Sequence, residues 1–514
     1  MTIRMTGMAS GLDTDSIITE LMKAQRTKID SVEKKKTTTE WKTDAWSTLN
    51  TKVYALYTGS LSEMRFSANY NKKAATISDS TIATVTANST AVDGTQELVV
   101  KSLAKSGYLT GGSISTSDSS TLSSSSTLSK LTGYAGTGDG TLEITVGTKT
   151  SSITVNSSST ISNVVAQLKS AGVNASFDAT NKRIFVSSTT SGAAADFSIT
   201  GADAEGADAL DILGLSVSST TNAATKIAGQ DAEITLNGAT FTSASNTFSI
   251  NGLSIVATEV SDSSTVSGNT VYSATSISIS RDYQATYDTI KDFFTEYNTL
   301  INEMDSLYNA DSAKGYEPLT DDEKDSMTDT QIEDWETKIK DALLRKDSNL
   351  GTVSTAMKKS LYESYKIDGT IYSLASFGIA TGSYFNTDSD EHNAYHIDGN
   401  SDDSTVSNNT DKLMAAIKND PDKVMNFFAT LTKGLYTKVG DNMKSITGVR
   451  TSYKVYDDQT LDSQIDDYED KINKLEDKFT AMEDRYYSQF SAMETALTKL
   501  QSSSSALTSL LGSS

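Results

Sequence analysis

Apolar side chains near the C-terminus recur at alternating steps of four and three, through Leu461, Ile465, Tyr468, Ile472, Leu475, Phe479 and Met482. Two steps of four then bring in Tyr486 and Phe490, after which Met493, Leu497, Leu500, Ser504, Leu507 and Leu511 resume the rhythm. The pattern is a heptad seam with one stutter, which locally unwinds a left-handed supercoil and keeps the stripe facing one side. Such a helix is about 75 Å long, and an amphipathic helix of that length needs a partner along it.

The N-terminus offers one. Asp13 is placed as an N-cap, with Leu12 and Ile17 spaced as a hydrophobic staple across it. Ile18, Met22, Gln25, Ile29 and Val32 keep the same spacing, and the frame then passes through the polar Lys36, Thr39 and Thr43. Trp46, Leu49, Val53, Leu56 and Leu61 restore the apolar face. Residues 33–43 (EKKKTTTEWKT) are therefore expected to form a weak or hinged joint. Charge favours pairing the two ends, because residues 457–499 carry 12 acids against 5 bases while Lys34, Lys35 and Lys36 stand together near the N-terminus. A third helix is expected from Tyr283 through Ile290, Phe294, Tyr297, Ile301 and Met304 to Tyr308. A fourth helical stretch is expected around Leu413, Ile417, Val424, Phe427, Phe428 and Leu431, with Pro421 admissible at a helix start or joint.

Between Lys73 and Ile279 the period falls to two, as in Leu142, Ile144, Val146 and again Ile184, Val186. Asn237-Gly238 and Asn251-Gly252, each between short apolar runs, are hairpin signals, and a short helix is expected near Ile161 to Leu168. The pattern predicts a multidomain α+β protein, with terminal helical coiled-coil or bundle domains and nested, antiparallel β-rich insertions. The expected parts are a coiled-coil leg (1–45 with 457–514), a helix-rich rod (46–70 with 281–456), a β-rich domain (71–105 with 225–280) and a nested β-rich domain (106–224).

Composition narrows the chemistry. The 514 residues fit three or four domains. A net charge of −22 repels nucleic acid. With no cysteine, disulfides and thiolate chemistry are excluded, and His392 and His396 are the only imidazoles. No signal-like apolar core opens the chain and no stretch approaches the length of a membrane span. His392 and His396 stand at i and i+4, but loop-like flanks favour a solvated turn over a metal site. Asn386 to Asp390 begins like a calcium loop, yet Glu391 and Ile397 occupy the positions that need Gly and Glu. The Gly-rich YAGTGDG (134–140) precedes a strand rather than a helix and reads as a hairpin turn, not a phosphate site. The acidic cluster from Asp321 to Glu336 reads as a solvated helix start and face. No motif supports catalysis, and no cofactor or metal is expected.

The segments SGLDTDSIITELM, GTLEITVGTKTSSITVNSSSTISNVVAQLKSAGVNASFDATNKRIFVSS, PLTDDEKDSMTDTQIEDWETKIKDALLRKDSNL, IDGNSDDSTVSNNTDKLMAAIKNDPDKVMNFF and RYYSQFSAME, in this order, resemble the bacterial flagellar filament cap family, hook-associated protein type 2. The resemblance spans nearly the whole chain, and GTLEITV onward (near 140–199) is similar to the repeat shared by flagellins and hook proteins. It implies a non-enzymatic, extracellular assembly factor that leaves the cell through the flagellar type III channel without a cleaved signal peptide. It further implies a ring, commonly a pentamer, at the filament tip, with helical legs, a β plate and flagellin folding beneath it. An export chaperone docking on the C-terminal helix is implied as well.

The interface residues expected from the seams are Ile18, Met22, Ile29, Leu461, Ile465, Ile472, Leu475, Phe479, Phe490, Leu497 and Leu500. The terminal helices carrying them are expected to be largely unpaired in the free monomer. The alternatives are an adhesin that binds host mucin or glycans through the β domains, or another axial protein such as flagellin or the hook–filament junction protein.

Overall fold

The computed structural model describes residues 11–118, 120–382 and 391–511. The chain divides into a helical unit (1–70 with 283–514) and a β-rich unit (71–282).

In the helical unit, the N-terminal helix Thr14–Thr58 starts on Asp13, whose carboxylate accepts the Ser16 N–H at 3.1 Å. The C-terminal helix is Asp458–Leu511. The two run antiparallel: the Trp46 and Tyr456 rings stack at 5.3 Å, and Lys36 reaches Glu469 at 3.1 Å, so position falls along one helix as it rises along the other. Behind Trp46 the helices Tyr283–Asn309, Ser348–Tyr362, Lys412–Asn419 and Pro421–Asn442 close on one apolar core. Phe293, Phe294, Tyr297, Phe427 and Phe428 fill its centre, each at most 1% exposed. Pro421 occupies the first turn of its helix, where the missing N–H costs nothing, and Asp420 caps it.

The expected joint at 33–43 is corrected by the structure: the N-terminal helix passes through it without a break. Thr38, Thr39 and Thr43 donate to the carbonyls of Lys34, Lys35 and Thr39, while Lys36 pairs with Glu40 and Glu469. Hydroxyl back-bonding and ion pairs stand where the seam lacks apolar side chains.

The β-rich unit contains two cores. Around the first, a five-stranded antiparallel sheet runs in the order Lys73–Ile77, Thr275–Arg281, Gly94–Ser102, Ala232–Leu236, Ala239–Ser243. It shares Leu98, Val100, Ile234, Ile255 and Ile277 with the three-stranded sheet Thr247–Ile250, Leu253–Ala257, Ala83–Ala87. Around the second, the sheet Thr225–Ile227, Tyr108–Thr110, Arg183–Ser188, Val173–Asp178 and the sheet Lys149–Val155, Gly140–Val146, Phe197–Gly201 meet the helices Ile161–Ser170 and Ala204–Ile212. Asn237-Gly238 and Asn251-Gly252 turn the hairpins with left-handed φ at both residues, which suits the twist of the strands they join. The YAGTGDG segment enters the strand Gly140–Val146, whose partners are Lys149–Val155 and Phe197–Gly201, so it is an entry loop and not a hairpin turn.

Candidate assembly interface

The long helical pair carries its apolar seam unevenly. On the N-terminal helix Ile18, Met22 and Ile29 are at most 4% exposed, with Val32 close behind. The expectation that this helix stands unpaired in the single chain is thereby corrected: its seam is buried beside the C-terminal helix. The register follows the four-and-three spacing, which sets these residues on one face.

The C-terminal helix is different. Leu461, Ile465, Ile472, Leu475, Phe479, Phe490 and Leu497 are all half-buried, and beyond them Leu500, Leu507 and Leu511 are 67%, 60% and 72% exposed. Leu12, just before the N-terminal helix, and Ile17 and Leu21 in its first turns are also exposed, so the staple expected at Leu12 and Ile17 does not bury them. One neighbouring helix shields a single flank of a seam, and the rest of each side chain stays in water. Such a stripe can take up another helix but holds no reacting group.

The base of the pair is locked by polar contacts that no periodicity announces. Asn50, 6% exposed, donates from Nδ2 to the Tyr453 carbonyl at 3.3 Å and accepts the Val455 N–H at 2.9 Å. Arg450 forks onto Asp457 at 2.6 and 3.0 Å and donates to the Asn442 carbonyl. Midway along, Glu40 and then Glu469 hold the Lys36 ammonium pKa above its ordinary value, against the opposing effect of burial.

The other candidates are placed elsewhere. His396 lies in the strand Tyr395–Ile397, with Nδ1 2.6 Å from Asp403 Oδ2, and His392 lies in the turn before it, so the two do not share a helix face. The calcium-like Asn386 to Asp390 lies outside the described residues. Among the described residues no three His, Cys, Asp or Glu side chains converge as a metal site. The acidic cluster is more than a solvated face: Glu323 binds Lys34, and Glu336 binds Lys324 and Lys340.

A long antiparallel helical pair with a partly uncovered apolar stripe, on a chain that also carries an antiparallel β insertion, defines a multidomain α+β protein of the assembly type. The family model for the flagellar hook-associated protein 2 C-terminus matches residues 229–502, and that for its N-terminus matches residues 10–107. Curated flagellar hook-associated protein 2 sequences are similar. The one from Halalkalibacterium halodurans is 26% identical over 450 residues, 82% of this chain and 78% of its own length. The one from Escherichia coli is 26% identical over 511 residues, 98% and 96% of the two chains. The crystal structure of the D1-D2-D3 domains of the flagellar cap protein from Escherichia coli shares the fold, with a TM-score of 0.50 at 22% identity, over 78% of this chain and 95% of that one. The chain belongs to the flagellar hook-associated protein 2 family and is a flagellar cap protein. The alternatives of flagellin and junction protein give way to that membership.

Proposed function

We propose that the protein caps the distal end of the filament as a ring of copies, commonly five, and promotes the folding and insertion of flagellin beneath it. The observation that carries this reading is the half-covered seam of the C-terminal helix, which ends in the open Leu500, Leu507 and Leu511. Ile18, Met22 and Ile29 form the inner side of the leg. Leu461, Ile465, Ile472, Leu475, Phe479, Phe490, Leu497 and Leu500 offer the outer side to neighbouring copies, to flagellin, and before export to a chaperone. The chain works outside the cell at the filament tip after passing through the type III channel, and no catalytic step is assigned to it. The leg, the rod and the two β-rich parts are kept as the division of labour within this reading.

Two aspartates at Leu497 and Leu500 test it. A strain carrying Leu497→Asp with Leu500→Asp, like a strain lacking the gene, should release unpolymerised flagellin into the medium, while the purified variant keeps its helix content. Full-length filaments in either strain overturn the reading.

A second reading, adhesion, is favoured by one face of the sheet around Tyr108. Tyr108 pairs across to Ile227 and Ser187 while Thr110 opposes Phe185, so Tyr108, Phe185 and Ile227 share the outer face, 55%, 37% and 56% exposed. Exposed rings amid hydroxyl groups suit the apolar face of a sugar.

A further inference from the structure

From Glu33 to Ala45 the N-terminal helix contains no buried residue, although Val32 and Trp46 on either side are 6% and 1% exposed. Three successive threonines, Thr37 to Thr39, make it a poor helix former, and hydroxyl back-bonding tends to bend a helix. The helix nonetheless runs through without a break, and the segment 310–347 grips it there. Glu323 takes the Lys34 ammonium at 2.8 and 2.9 Å, Asp347 takes Lys42 at 2.8 Å, and Lys340 sits 4.6 Å above the Trp41 ring. Lys34, Trp41 and Lys42 are spaced i, i+7, i+8 and so share one face. Lys36, about 200° around the helix from Lys34, is held from the other side by Glu469 of the C-terminal helix.

The gripping segment is pre-formed. Glu323 closes a capping box with Thr320, and Asp347 caps the helix Ser348–Tyr362 through the N–H groups of Asn349 and Leu350. The Trp335 indole N–H donates to the Glu317 carbonyl, and Leu344 is 1% exposed. Both carboxylates are thus fixed before they meet a lysine, which lowers the ordering cost of each pair. Between the segment and the two long helices lies a charged cleft of about 880 Å³ whose lining includes Arg26, Asp30, Asp322 and Ile472. The centre of the helical unit closes on apolar contacts, whereas the segment meets the N-terminal helix through charge beside this open cleft.

We propose that segment 310–347 is a releasable ionic brace: engaged, it holds the leg helix straight across 33–43, and released, it lets the helix flex there while the apolar contacts on both sides stay closed. The use of such a hinge, a leg that yields as each subunit is added, rests on the capping reading; the brace itself does not. Its grip weakens with ionic strength, because partly exposed ion pairs are screened over about 8 Å at physiological salt whereas apolar packing is not.

Hydrogen exchange on the full chain tests it, comparing wild type with Glu323→Gln plus Asp347→Asn. Gln and Asn retain both caps and remove both charges, so the segment keeps its fold. At low salt the amides of 33–43 should exchange roughly fivefold faster in the variant, with 46–56 unchanged. Raising the salt should accelerate 33–43 in wild type, and less in the variant. Equal exchange in the two proteins, or equal acceleration over 46–56, overturns the brace. Either result is read on the purified chain and is independent of whether flagellin leaks from a mutant strain.

Discussion

At the scale of single residues, the leg is anchored by side chains that do two jobs. Asn50 spans the Tyr453 carbonyl and the Val455 N–H, and in doing so sets the turn that delivers Tyr456 onto Trp46. Tyr453 itself has a φ of +66°, a conformation that L residues adopt at a cost and that the Asn50 and Met443 contacts hold in place. Asn50→Ala leaves a buried N–H and a part-buried carbonyl without their partner, so it should lower the stability of the rod by about 1–3 kcal/mol in denaturant unfolding. Trp46 was legible from its place in the four-and-three rhythm. Asn50 was not, because its partners lie far along the chain and a lone polar residue on an apolar face carries no period. The same holds for Glu323 and Asp347, whose lysines the sequence placed in a weak or hinged joint and whose contact only folding reveals.

At the scale of elements, periodicity located the long helices and the turns, and it failed where support came from another segment. The joint expected at 33–43 rests on a real lack of apolar seam; charges from 310–347 and Glu469 supply what the seam lacks. The hairpins were readable because Asn-Gly relieves the strain of two left-handed residues in succession. Their two glycines differ in surroundings. A Cβ on Gly238 meets nothing within 4 Å, whereas one on Gly252 comes within 2.5 Å of the Ala91 nitrogen. Gly238→Ala should therefore cost only the backbone conformation, about 1–2 kcal/mol. Gly252→Ala should cost clearly more, since the hairpin must also move off the neighbouring chain. Denaturant midpoints of the two variants check the ranking, and equal losses would contradict it.

At the scale of the whole molecule, the α+β class was visible as a change of period from 3.6 to 2 and back. How the strands of the insertion sort into sheets was not, because short strands of similar composition give no clue to their partners. The β-rich unit begins and ends on strands paired to each other, with Lys73 opposite Arg281. Residues 71–282 expressed alone should therefore fold with cooperative unfolding, since the two apolar cores and the ladder that closes them lie within that stretch. The same fragment carries the Tyr108 face, so its retention on immobilised mucin glycans, and loss of that retention in Tyr108→Ala, decides the adhesion reading. The ladder from Lys73 to Arg281 has an evolutionary corollary. Because its two ends lie side by side, the insertion can be exchanged or enlarged over generations while the course of the chain on either side of it is inherited intact.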